Sequence, residues 1–203
     1  GSADQLIERL ISEGGNSPAD ILLTVDAGRL HRAKVAGILQ PIESKILSEN
    51  IPPSMRDEDD YWFGLTVRAR VLVYSKERVT PDQLSTYEDL ANRKWRGKIA
   101  VRSSSNIYNQ SLMASIIASN GSRKALSWAK SIRKNMARAP RGSDRDQARA
   151  VAAGLADVAI MNTYYLGILA NSPDAKDREV FKKVSVFFPN QSDRGTHINI
   201  SGA

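Results

Sequence analysis

The chain has 203 residues, 41% hydrophobic and 25% charged, an ordinary globular composition with room for one large domain or two small ones. Cysteine is absent, which excludes disulfides, thiolate metal sites and cysteine nucleophiles, and no apolar run approaches the length of a membrane span. The formal charge of +7 raises nucleic acid as a partner, but the basic residues are scattered without an aromatic-basic motif, and the densest patch (Arg133, Lys134, Arg138, Arg141, Arg145, Arg149) reads as a solvated helix face and loop, so no nucleic-acid function is expected.

Leu6, Ile7, Leu10 and Ile11 recur at helical spacing, so residues 4–13 are expected as a helix stopped by Gly14-Gly15. Residues 21–25 read as a strand, and Asp26 can cap a helix that starts near Gly28. Residues 40–60 lack long periodicity and read as irregular connection. Residues 61–74 form a long β-rich run, and residues 81–97 a loop with a short helix around 87–90. A strand follows at 98–102. The cluster Ser103, Ser104, Ser105 and Asn106 caps a helix over 107–119, closed by Asn120-Gly121. A second helix is expected at 122–136, and Ser143 caps a third at 144–153, stopped by Gly154. A strand at 158–161 leads into a helical stretch, and residues 184–188 and 197–200 read as strands. This alternation predicts an α/β sandwich with a mainly parallel sheet.

The most informative feature is Tyr164-Tyr165, where the strand at 158–161 gives way to a helix. In open α/β sheets ligands bind at such strand ends. Deprotonated phenols are hard anionic oxygen donors, so a pair of them suits a hard trivalent cation such as ferric iron. Packing of the two rings is the other reading of the dipeptide. Tyr108 also lies where a strand enters a helix, and the helix N-terminus favours its phenolate. Arg68 closes the stretch Phe63-Gly-Leu-Thr-Val-Arg68, where its guanidinium can hold an anion, balance phenolate charge, or form a surface salt bridge. No Ser-His-Asp arrangement, paired-carboxylate motif, phosphate loop or His-rich metal motif is present, so the chain is not expected to be an enzyme.

Six segments together carry a resemblance: Ser17-Pro-Ala-Asp-Ile-Leu-Leu-Thr-Val-Asp-Ala-Gly28, Trp62-Phe-Gly-Leu-Thr-Val-Arg-Ala-Arg70, Trp95-Arg-Gly-Lys-Ile99, Arg102-Ser-Ser-Ser-Asn-Ile-Tyr-Asn-Gln-Ser111, Met161-Asn-Thr-Tyr-Tyr-Leu-Gly167 and Gly195-Thr-His-Ile-Asn-Ile-Ser-Gly-Ala203. In order along the chain they resemble the ferric-ion-binding proteins of bacterial ABC importers, of the FbpA/FutA type. The resemblance implies a type 2 periplasmic-binding-protein fold: two α/β lobes joined by crossover strands, with ligand in the cleft. On that pattern residues 1–68 are a partial first lobe with the first crossover strand, 69–182 the second lobe, and 183–203 the return crossover. It implies Tyr108, Tyr164 and Tyr165 as the phenolate ligands of Fe3+, and Arg68 as the residue behind them or holding a synergistic anion such as carbonate. It places Asp26 in the cleft lining. It further implies a periplasmic location and an ABC permease of the inner membrane as partner. Family members begin with a segment that supplies a further ligand and continue past the position of Ala203, so the chain is expected to be an internal fragment with an incomplete first lobe. His31 is expected at the surface or in packing, and His197 in a structural role. The alternative in the same cleft is binding of an anion or a small organic solute.

Overall fold

The computed structural model describes residues 2–203. Two units form: residues 1–67 with 199–203, and residues 68–198.

In the first unit, helix α1 (Ala3–Glu13) starts from a capping box in which Ser2 and Gln5 satisfy each other's backbone N–H groups, and it ends at Gly14, whose φ is 53°. Strand β1 (Thr24–Val25) runs into helix α2 (Ala27–Val35), which buries Leu30 and Ala33. β1 pairs antiparallel with β6 (Ile198–Gly202) in the register Thr24↔Gly202 and Val25↔Ser201. A Cβ at Gly202 would collide with the Phe63 carbonyl, so glycine lets the chain close against Phe63 there. Asp4 on α1 bonds Arg29 at 2.6 Å and also Arg32, both on α2. The Arg29 hydrogen bond is the main reason its carboxyl is held down to about 2.

Two expectations fail here. Residues 21–23 form no strand: Ile21 and Leu23 are 75% and 63% exposed, and ladder pairing starts only at Thr24. Residues 40–60 are not wholly irregular, because Ser44 caps a short helix α3 (Lys45–Asn50), followed by a 3-10 turn at Pro53–Met55.

The second unit is built on β2 (Gly64–Ser75), whose residues from Arg68 onward belong to it. β2 pairs antiparallel with β4 (Val158–Asn162; Leu72↔Ile160) and with β5 (Val184–Phe187; Leu72↔Phe187), while β3 (Ile99–Ala100) runs parallel to β4. The sheet is therefore mixed, not mainly parallel. Alternation of strands and helices does not fix the direction of a long strand such as β2. The period of two along the strands sorts side chains onto two faces. Leu72, Tyr74, Val158 and Ile160 face helices α4 (Ile107–Asn120) and α5 (Ser122–Asn135), which add Leu112, Ile116, Ala125 and Ile132. Val71, Val73, Ala159 and Met161 face α6 (Asp144–Ala152) and α7 (Tyr164–Ala170), which add Ala148, Val151, Leu166 and Leu169. Each fully buried Val, Leu, Ile or Met side chain among these contributes about 1.5–3 kcal/mol. Helix α8 (Ala175–Lys183), capped by Asp174, was not foreseen, and the strand expected at 98–102 shortens to β3. Tyr87 sits within the first of these cores. Its hydroxyl donates to the Arg70 carbonyl and accepts from the His197 N–H at 3.2 Å, while the Arg70 N–H donates to the His197 carbonyl at 2.9 Å.

Candidate metal centre

β4 is buried along its whole length, and its apolar run stops at Asn162. Thr163 then turns the chain: its N–H donates to the Ala69 carbonyl at 2.9 Å and its Oγ1 accepts from the Ala69 N–H at 3.4 Å, fixing the junction against β2. α7 starts at once with the two tyrosines. Their ring centroids lie 4.2 Å apart with planes tilted by 32°, and Tyr164 is 39% exposed. On α4, Asn106 caps the helix by accepting from the Tyr108 N–H at 3.1 Å. That cap delivers the Tyr108 hydroxyl to 3.4 Å from the Tyr164 hydroxyl. The structure thus brings the three phenols together within the second unit.

Burial raises the Tyr164 pKa, and hydrogen bonding to Tyr108 and Tyr165 raises it further. Ionising Tyr164 beside the other phenols is disfavoured, so Tyr164 keeps its proton across the neutral range. Among the described residues no group of three His, Cys, Asp or Glu side chains is placed to hold a metal.

Three guanidinium groups surround the Tyr108 ring, those of Arg68, Arg70 and Arg102, at 5.7, 5.9 and 5.6 Å from its centroid. Arg68 is buried, as is Arg70. Arg70 donates to Asp144 at 2.5 Å, to Asn162 Oδ1 at 3.2 Å and to Asn109 Oδ1 at 2.6 Å. Asp144, the first residue of α6, also accepts from the Asn162 N–H at 2.8 Å and from Arg102 at 3.4 Å. Burial lowers the Arg70 pKa, and the Asp144 carboxylate works against that shift. Arg70, Arg102, Asn109, Asp144 and Asn162 all escaped sequence reasoning. One signal was available: Arg68 and Arg70 are two apart on a strand, which puts them on one face.

Asp26 is 2% exposed in the first unit, at a φ of 85°. Its carboxylate accepts from the Gly28 N–H at 2.9 Å and from the Asn199 amide, so it is occupied as the α2 cap. His31 is exposed. His197 is half-buried, with its ring 3.2 Å from the Ser111 hydroxyl.

Residues 16–195 match the family described as bacterial extracellular solute-binding protein. The iron uptake protein A1 of Synechocystis sp. is 53% identical over 202 residues, which is 100% of this chain and 56% of that protein. The solved structure of Trichodesmium FutA in complex with iron and citrate superposes with a TM-score of 0.96 at 56% identity, covering 100% of this chain and 64% of that one. The ferric binding protein from Campylobacter jejuni gives 0.94 at 49% identity, with coverage of 100% and 64%. The fold is the α/β fold of the type 2 periplasmic binding proteins. The chain belongs to the family of bacterial extracellular solute-binding proteins, and it spans 56% of the length of the Synechocystis relative. No helix among the described residues is long and apolar enough to cross a membrane.

Proposed function

We propose that this chain binds ferric iron through the phenolates of Tyr108, Tyr164 and Tyr165, in a periplasmic protein that delivers the ion to an ABC permease of the inner membrane. The observation that carries the reading is the convergence of the phenols, with the Tyr108 and Tyr164 hydroxyls 3.4 Å apart and the Tyr164 and Tyr165 rings in contact. Three phenolates carry three negative charges and match a trivalent hard cation. The names of the relatives from Synechocystis, Trichodesmium and Campylobacter jejuni support the same ion. The function is capture, not catalysis: the chain supplies donor atoms and releases phenol protons when the cation arrives.

A second reading is supported by the guanidinium groups around Tyr108 and by Asn162 Nδ2, a buried donor with no hydrogen-bond partner among the described residues. An anion such as carbonate fits these groups, either beside the iron or as a solute in its own right. Titration with ferric citrate, followed by visible absorption, separates the two. Tyrosinate-to-iron charge transfer gives a visible band, whereas an anion alone gives none. A colourless protein that still binds the anion by calorimetry would replace the iron reading with the anion one.

A further inference from the structure

We propose that Arg70 is the positioning residue that sets the spacing between Tyr108 and the Tyr164-Tyr165 pair; the inference rests on the iron-binding reading above. One side chain reaches both the first turn of α4, beside Tyr108, and the end of β4, two residues before Tyr164. Its Nη2 donates to Asn109 Oδ1 at 2.6 Å, and Asn109 directly follows Tyr108 in the first turn of α4. Its Nη1 donates to Asn162 Oδ1 at 3.2 Å and to Asp144 Oδ2 at 2.5 Å. The same Asp144 oxygen accepts from the Asn162 N–H at 2.8 Å, two residues before Tyr164. Asn109 is itself oriented, since its amide donates to the carbonyls of Arg102 and Ser103 at 2.8 and 3.1 Å. A chain of short hydrogen bonds therefore runs from the Tyr108 turn through Arg70 to the end of β4.

The cost of this arrangement argues for a role beyond packing. Arg70 is 2% exposed and Asp144 fully buried, and two charges taken out of water gain little net stability over apolar residues of similar size. What the pair supplies is geometry. A planar guanidinium directs several donors at fixed angles, which an aliphatic side chain cannot do and a lysine ammonium does without that fork. Groups that orient metal ligands from behind typically change metal affinity about 10–100-fold when removed.

The test uses the purified protein, ferric citrate, the visible band and competition with a chelator. Asn109→Ala cuts the arm to the Tyr108 turn and leaves the Arg70–Asp144 pair in place. It is expected to keep the wild-type far-ultraviolet spectrum, to weaken iron binding about tenfold or more and to lower the band intensity. In a Tyr108→Phe background the same change should add nothing, because Asn109 acts through Tyr108. Arg70→Lys should produce a larger loss, since it disturbs both the Tyr108 turn and the end of β4; if that variant does not fold, Asn109→Ala decides alone. Unchanged affinity and band in a folded Asn109→Ala protein, or a loss fully additive with Tyr108→Phe, would overturn the proposal. A wild-type protein with no visible band under ferric citrate would instead remove the iron reading itself.

Discussion

At the end of β1, Asp26 turns its carboxylate back into its own unit, caps α2 and is 2% exposed; at the end of β4, Tyr164 opens α7, is 39% exposed and lies beside two other phenols. Both are polar residues where a strand hands over to a helix. The difference lies in reach. A short carboxylate at the N-cap bends onto the Gly28 N–H and the Asn199 amide, and each of its oxygens is engaged there. A phenol one position into the helix carries its oxygen past the backbone, where the helix has no use for it. A strand-to-helix junction is thus only a place where a side chain can be offered; its length and its neighbours decide whether it is offered outward or spent on the fold.

The contrast can be broken most directly at the phenols. Tyr165→Phe keeps the ring and removes one donor oxygen, and it should abolish or strongly diminish the visible iron band and weaken iron binding by about a hundredfold or more, of the order expected for losing one of three anionic ligands. An intact band would return Tyr165 to packing. Proton linkage comes next. Burial, then Tyr108 and Tyr165, hold the Tyr164 pKa above its ordinary value, so the phenol is protonated at neutral pH and, on the proposed reading, would release its proton on binding the metal. Affinity should therefore rise with pH, and going from about pH 8 to about pH 6 should weaken binding roughly a hundredfold for each phenol proton released. A pH-independent affinity under chelator control would show that phenolates are not the donors. Asp26→Ala should lower stability by about 2 kcal/mol through the lost cap, while leaving the band where it was. Asp26→Gly should cost less, because a φ of 85° suits glycine. A bleached iron complex in Asp26→Ala would erase the distinction between the two junctions. The smallest effect is expected at Arg68: Arg68→Ala should change the dependence of iron affinity on carbonate by about a few-fold and alter it more than it alters melting temperature, because its guanidinium lies beside the Tyr108 ring. A sharp fall in melting temperature with unaltered anion dependence would make Arg68 a structural residue.

Much of this architecture was legible where local chemistry is strong. The caps Asp26, Asn106 and Ser143 each mark a helix start in the structure. The apolar run before Tyr164 marks β4, and the two tyrosine motifs pointed to the phenols that the fold brings together. Strand direction was not legible, because side-chain alternation is the same in parallel and antiparallel ladders; only the pairing of β2 with β4 and β5 reveals it. Helices α3 and α8 escaped because six residues give little periodicity and because residues 175–183 are mostly charged. Ile21 and Leu23 read as strand on composition, yet they lie outside the ladder and are exposed. The layer behind the phenols was hidden for another reason. In sequence Arg70 and Arg102 look like any of the 29 basic residues, and only tertiary packing makes one of them a buried cation tied to Asp144.

Tyr87 uses the same chemistry to the opposite end. Burial pushes its hydroxyl pKa well up, so across the neutral range it remains a phenol that donates to the Arg70 carbonyl and accepts from the His197 N–H. With the Arg70 N–H bonded to the His197 carbonyl, two segments 127 positions apart in sequence close into a single hydrogen-bonded ring. In deuterium oxide the amide protons of Arg70 and His197 should consequently be replaced together, on one slow clock, because the His197 carbonyl holds the first, the Tyr87 hydroxyl holds the second, and opening the ring frees both.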